Sequence, residues 1–226
     1  MQSAKVTLWR SALFQCLPLL FANLLWAQQP LQTLAFERSF PGSDPEHFVV
    51  TVTSDCKATY QSNGKLTEQS AADDSYTYDF VMTESNCTKL FDLTRRAHYF
   101  ESDISSKKKN MAAMGVKTLS YKDSQKNTKA TYNYSPIPEV QELTARFQAL
   151  GSTIEFGRRL EYDHHYQKLA LDEDIKRMEE SLSAIGGLEQ IPAISPILQK
   201  LIDDPALMNM VRSRAQRLLA GEPTRP

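Results

Sequence analysis

The chain has 226 residues, with 26 Lys and Arg against 27 Asp and Glu, a formal net charge of −1. A balance this even gives no global signal for nucleic acid, and eight glycines without a Gly-rich run opening a helix exclude a phosphate-cradling loop. Three cysteines are too few for a disulfide-dense scaffold, so any fold must rest on a packed core.

Lys5 and Arg10 form a positive start without acids, and residues 11–26 are largely apolar, interrupted by Gln15, Pro18 and Asn23. This is a signal-peptide profile, with cleavage expected after Ala27. An uncleaved anchor is the competing reading. It would need about 20 uninterrupted apolar residues, and this run is shorter and broken by Pro18. Cys16 lacks the small residues that precede a lipid-modified cysteine and reads as a bystander. No second long apolar stretch follows, so no integral membrane segment is expected after cleavage. The remaining chain of about 199 residues suits one sizeable domain or a small domain with a helical extension. Its location should be periplasmic or extracellular, where Cys56 and Cys87 meet an oxidising environment.

Residues 28–47 contain Pro30, Pro41, Gly42, Ser43, Asp44 and Pro45 and read as a linker. From Phe48 to Tyr60 the even positions alternate with polar neighbours, the period of a half-buried strand, with Cys56 on the apolar side. Asn63 and Gly64 predict a tight turn into a partner strand at 65–69. After a loop at 71–75, Tyr76, Tyr78, Phe80 and Met82 mark a further strand. Thr83 or Ser85 caps a helix running to about Ala97, in which Cys87, Leu90, Phe91, Thr94 and Ala97 share a face. If that helix covers the strand bearing Cys56, the two sulfurs face one layer, and a disulfide between them is expected over a buried reduced pair. Residues 116–122 and 128–134 then form a hairpin.

Residues 48–135 therefore predict a mostly antiparallel β-β-β-α-β-β sheet domain of the α+β class. Residues 136–220 are helical in pattern, with helices at 139–150 (ended by Gly151), 153–169, 172–184, 191–202 and 203–220, and 221–226 is a tail. The helical stripes allow docking on the sheet, on each other, or on a partner such as another envelope protein.

The run from Asp55 and Cys56 through Tyr60 and Gly64, the strand 76–82, the helix ending in His98, Tyr99 and Phe100, and the hairpin with Leu119 and Tyr121 resemble uncharacterised secreted bacterial domains. The resemblance covers about residues 48–135 and implies export and a small α+β domain. It transfers no activity to any residue.

Glu161, Asp163, His164 and His165 form the strongest metal motif, because residues 161 and 165 lie one helical turn apart. The acids Asp172, Glu173 and Asp174 lie near but suit a helix start, and an exposed helix surface is the better explanation of the motif. Residues 83–135 hold ten Lys or Arg against five acids, with Lys107, Lys108 and Lys109 at the centre of a candidate anion-binding surface. A solvated loop is the simpler reading. His47 and His98 come without a serine elbow or cysteine signature, and adjacent Asp73 and Asp74 read as a turn rather than a glycosidase pair. Asn86 and Asn133 match the N-glycosylation triplet, which matters only in a eukaryotic secretory route. No catalytic residue and no cofactor is assigned. The expectation is a noncatalytic exported envelope protein acting as scaffold or protein-binding module. The alternative is an envelope hydrolase or metal protein using residues 161–174.

Overall fold

The computed structural model describes residues 31–66, 75–108, 112 and 115–221. The expected signal segment 1–27, the pair Asp73 and Asp74, Lys109 and the tail beyond Gly221 lie outside the described residues. The architecture is α+β: six antiparallel strands followed by a helical layer. The strands are β1 (Thr33–Ser39), β2 (His47–Thr53), β3 (Lys57–Ser62), β4 (Tyr76–Val81), β5 (Val116–Lys122) and β6 (Asn127–Tyr132), in the order β4-β3-β2-β1-β5-β6.

The segment expected to be a linker supplies the central strand. Leu34 and Phe36 are fully buried, and β1 pairs with β2 on one side and β5 on the other. Its alternation is short, and the proline- and glycine-rich residues 41–45 that dominate the segment's composition form the loop to β2. There Phe40 N–H donates to the Glu46 carbonyl (2.7 Å), and the Ser43 hydroxyl donates to Phe40 O and Pro45 O.

The single strand expected over 48–60 is two strands with a turn at 54–56. Val52 pairs with Ala58 and Val50 with Tyr60, so even positions oppose even positions. A hairpin of that register keeps the period of two running through its own turn, which hides the turn from the alternation. Cys56 turns the chain at φ 64°. The second turn, expected at Asn63 and Gly64 with a strand at 65–69, is not a hairpin. Asn63 Oδ1 instead accepts the His47 N–H (2.8 Å), and β3 pairs next with β4. Lys65 and Leu66 are not in a strand, and 67–69 lie outside the described residues.

Helix α1 (Glu84–Arg96) starts as expected, with the Thr83 side chain accepting from Asn86 N–H. Cys87 on its buried face forms a disulfide with Cys56, the Cα atoms 5.6 Å apart and 31 residues apart in sequence. Closing a loop of that size typically stabilises by about 2–4 kcal/mol. After α1, His98, Tyr99 and Phe100 turn with positive φ, a conformation disfavoured for L-residues. Burial of Phe100, packing of Tyr99 on Tyr121 (centroids 4.8 Å) and the Thr128 hydroxyl donating to Tyr99 O hold it in place.

The two helices expected at 139–150 and 153–169 are one, α2 (Pro138–Tyr166), which passes straight through Gly151. A Cβ at Gly151 would lie 3.2 Å from the Phe48 ring and 3.5 Å from Tyr60. The glycine is there for close helix-to-sheet approach, not as a stop. Phe147, one turn earlier, stacks on Phe36 with centroids 5.1 Å apart. Helices α3 (Leu171–Ala184), α4 (Ser195–Asp203) and α5 (Asn209–Ala220) pack outside α2, with a 3₁₀ segment Leu188–Ile194 before α4. The apolar stripe Leu171, Ile175, Met178 and Leu182 is fully buried, so these helices cover one another and α2. Among the described residues no helix is long and apolar enough to cross a membrane.

If β1 is the centre of the core, Phe36→Ala should destabilise the protein by about 3–5 kcal/mol, the range for truncating a buried phenylalanine. Urea unfolding of the oxidised protein measures it; a loss within about 0.5 kcal/mol, the scatter of surface substitutions, would restore the linker reading.

Candidate functional site

All helices lie on one face of the sheet, and strand register sets which side chains meet them. Across the sheet the inward residues form rows. Tyr78, Tyr60, Val50, Phe36, Leu119 and Ala130 make an apolar row, as the paired positions of all six strands show. The neighbouring row, toward the sheet end, reads Tyr76, Ser62, Phe48, Arg38, Lys117 and Tyr132. The inner face thus changes from apolar to polar and cationic within one row.

Helix α2 crosses this boundary. Gly151 brings it against Phe48, and the next two turns present Ser152, Glu155, Arg158 and Arg159. Where the polar row leaves the helix, a cleft of about 480 Å³ opens. Arg38, Phe48, Tyr60, Lys65, Glu155 and Arg159 carry its character.

Glu155 organises one wall. It accepts hydrogen bonds from the Tyr60 hydroxyl (2.7 Å) and the Ser62 hydroxyl (2.5 Å), and its other oxygen lies 3.8 Å from the Arg158 guanidinium. Burial, and then the Glu155 charge, hold the Tyr60 phenol far above its ordinary range, so it stays a donor. Arg158 lies over the Tyr76 ring (4.5 Å) and donates to the Gly64 carbonyl, while Arg159 donates to Leu66 O. These bonds fasten residues 64–66 to α2.

Two members of the metal motif, Glu161 and His164, are held in ion pairs. Glu161 Oε1 lies 2.6 Å from Lys200 Nζ, and His164 Nε2 lies 2.8 Å from Asp204 Oδ2. His165 is exposed, its ring between those of His164 and Tyr166. Asp172 and Asp174 pair with Arg214 and Arg177. Among the described residues no three His, Cys, Asp or Glu side chains gather as an ion would require.

The basic region is dispersed. Lys89, Arg96 and Lys126 pair with Glu142, Glu139 and Glu101, and Lys117 is buried, donating to Asn133 O (2.8 Å). Lys107 and Lys108 are exposed on a loop. His47 pairs with Glu37 on the outer face of the sheet, and His98 sits in the turn after α1.

Arg38 and Glu155 were missed by sequence reasoning. The first lay in the supposed linker, although Leu34, Phe36 and Arg38 already alternate; the second faces partners more than ninety positions away, which no local pattern reports. Compared with known proteins, the chain matches no family model and no curated sequence.

Asp163, part of the motif, is 2% exposed and faces Asp174 of α3, with Arg159 and Arg177 as nearby counter-charges. Burial, then Asp174, push its carboxyl up to about 7. The folded protein therefore binds this proton more tightly than the unfolded chain, whose carboxyl titrates near ~4. Its contribution is complete below that value and lost as pH rises through about 7, so stability should fall with pH across this window. Asp163→Asn should flatten that slope and be the more stable protein at pH ~8. Parallel urea titrations across the window check this; an Asn variant with an unchanged slope would contradict it.

Proposed function

We propose that this chain works outside the reducing cytoplasm as a noncatalytic binding module, its sheet and helices a scaffold for the cleft between α2 and the sheet end. One observation carries the reading: Arg38, Phe48 and Tyr60 on the strands and the α2 residues from Gln148 to Arg159 line most of the cleft, held by close packing at Gly151 and by the hydrogen bonds of Glu155, so that part of it is formed in advance of any ligand. Preformed walls cost little to order on binding. Ser152 is half-buried in one wall, yet no histidine lines the cleft among the described residues to act as its base. The polar groups of this site therefore suit holding a molecule better than transforming one.

Export is supported from two sides. The Cys56–Cys87 bond fits an oxidising compartment, and the start of the chain has the charge and apolar profile of a cleaved signal. The likeness of residues 48–135 to secreted bacterial domains agrees with both. The helical layer does not call for a partner chain, since its main stripes are already buried.

A fragment screen on the oxidised protein followed by amide chemical-shift mapping tests the reading. Binders should perturb residues of the cleft, Arg38, Lys65, Gly151 and Ser152, with saturable shifts. Hits confined to the exposed Lys107 and Lys108 loop or to the outer helices would refute it.

A further inference from the structure

The cleft just proposed as the binding site has a lopsided charge distribution. Its acids are Asp44 and Glu155: Asp44 is exposed and its Oδ1 accepts the Lys65 N–H (3.0 Å), and Glu155 is held by Tyr60, Ser62 and Arg158. Its cations are Arg38, Lys65 and Arg159. Arg159 donates to the Leu66 carbonyl and also lies near Asp163.

Arg38 is the least satisfied of the three. Its Nε is buried without a hydrogen-bond partner among the described residues. The surroundings of the guanidinium are ring faces, Phe40 at 5.4 Å and Phe48 at 5.9 Å, and the residue directly across the β1–β5 pair is Lys117. Burial disfavours the charged form of both; the Tyr60 phenol partly offsets this at Arg38, and the Arg38 charge adds to it at Lys117. Arginine nonetheless stays protonated in proteins, so the fold holds a partly desolvated cation beside a like charge. A structural arginine would be expected to bring its own carboxylate. An anion entering the cleft would supply the missing counter-charge, and the planar guanidinium suits a carboxylate or phosphate.

We propose that the cleft takes a small organic anion, with its carboxylate or phosphate seated on Arg38 and an apolar or aromatic body lying along Phe48, Leu66 and Phe156. This rests on the reading of the cleft as a binding site. The volume of about 480 Å³ falls within the range of small-molecule sites, and rings and charge stand side by side in its lining. Lys65, exposed at the mouth, adds attraction that salt screens.

The test titrates the oxidised full chain with benzoate, phenyl phosphate and the neutral isostere benzamide, following cleft amides by NMR. Both anions should bind about tenfold or more tightly than benzamide, with affinity falling as salt rises. Arg38→Gln should remove that preference by bringing the affinities of both anions down to that of benzamide, and Lys65→Gln should reduce the salt dependence without abolishing it. The comparison of charged and neutral probes on the unaltered protein stands even if the Arg38 variant does not fold. Equal binding of benzoate and benzamide, or a folded Arg38→Gln protein that keeps the preference, overturns the inference. A cleft that prefers neutral or cationic fragments also overturns it but leaves the binding role standing; a cleft that takes no fragment of any class overturns both.

Discussion

The close approach of α2 to the sheet at Gly151 is the constraint on which the rest of the molecule depends. With no Cβ at that position, the helix backbone settles against Phe48 and Tyr60, and one turn earlier Phe147 stacks on Phe36 of the central strand. A helix held this near the sheet becomes the floor for a second layer. Gly157 continues the pattern on the other side, where a Cβ would lie 2.7 Å from Ile194. The outer helices thus close on α2 as α2 closes on the sheet, and one core runs from Leu34 to Leu218.

The cleft follows from the same contact. A 29-residue helix crossing a six-stranded sheet covers the apolar row and runs past the polar one. Glu155 is then placed over Tyr60 and Ser62, whose hydroxyls satisfy it, and Arg158 and Arg159 tie the loop after β3 to the helix. What is left open is the part of the row where Phe48 and Arg38 stand, facing Lys65 and Leu66. The sheet contributes Arg38 there, and the acids lining the cleft, Asp44 and Glu155, accept hydrogen bonds from other partners. The charge left over is a property of the register: moving β1 by one residue would send Arg38 to the outer face.

Much of the fold was legible in the sequence because its signals are local. Thr83 announces α1, the spacing of Cys87, Leu90 and Ala97 puts the cysteine on the covered face, and the hairpin of β5 and β6 shows its alternation openly. Two of the errors share a cause, a residue whose role is set by something distant, and a third comes from the register of a local hairpin. Gly151 looks like a helix stop until Phe48 is seen against it. Residues 33–39 look like the front of a loop until β2 and β5 flank them, and the turn at 54–56 is invisible because even positions pair with even positions. For the site, the metal motif at 161–165 was the conspicuous pattern, yet Glu161 and His164 pair with Lys200 and Asp204, and His165 stays exposed. Arg38 carries no motif, and only the strand register reveals that it stands without a counter-charge.

The central claim is that β1 and the middle of α2 are the two halves of one seam. Native-state hydrogen exchange on the oxidised protein addresses it most directly, by comparing amides of 33–39 with those of 148–158. The account predicts that both groups exchange only through the same cooperative opening, at the slow limit set by global unfolding. Amides of 33–39 exchanging at rates close to those of an unprotected peptide, while α2 stays protected, would contradict it.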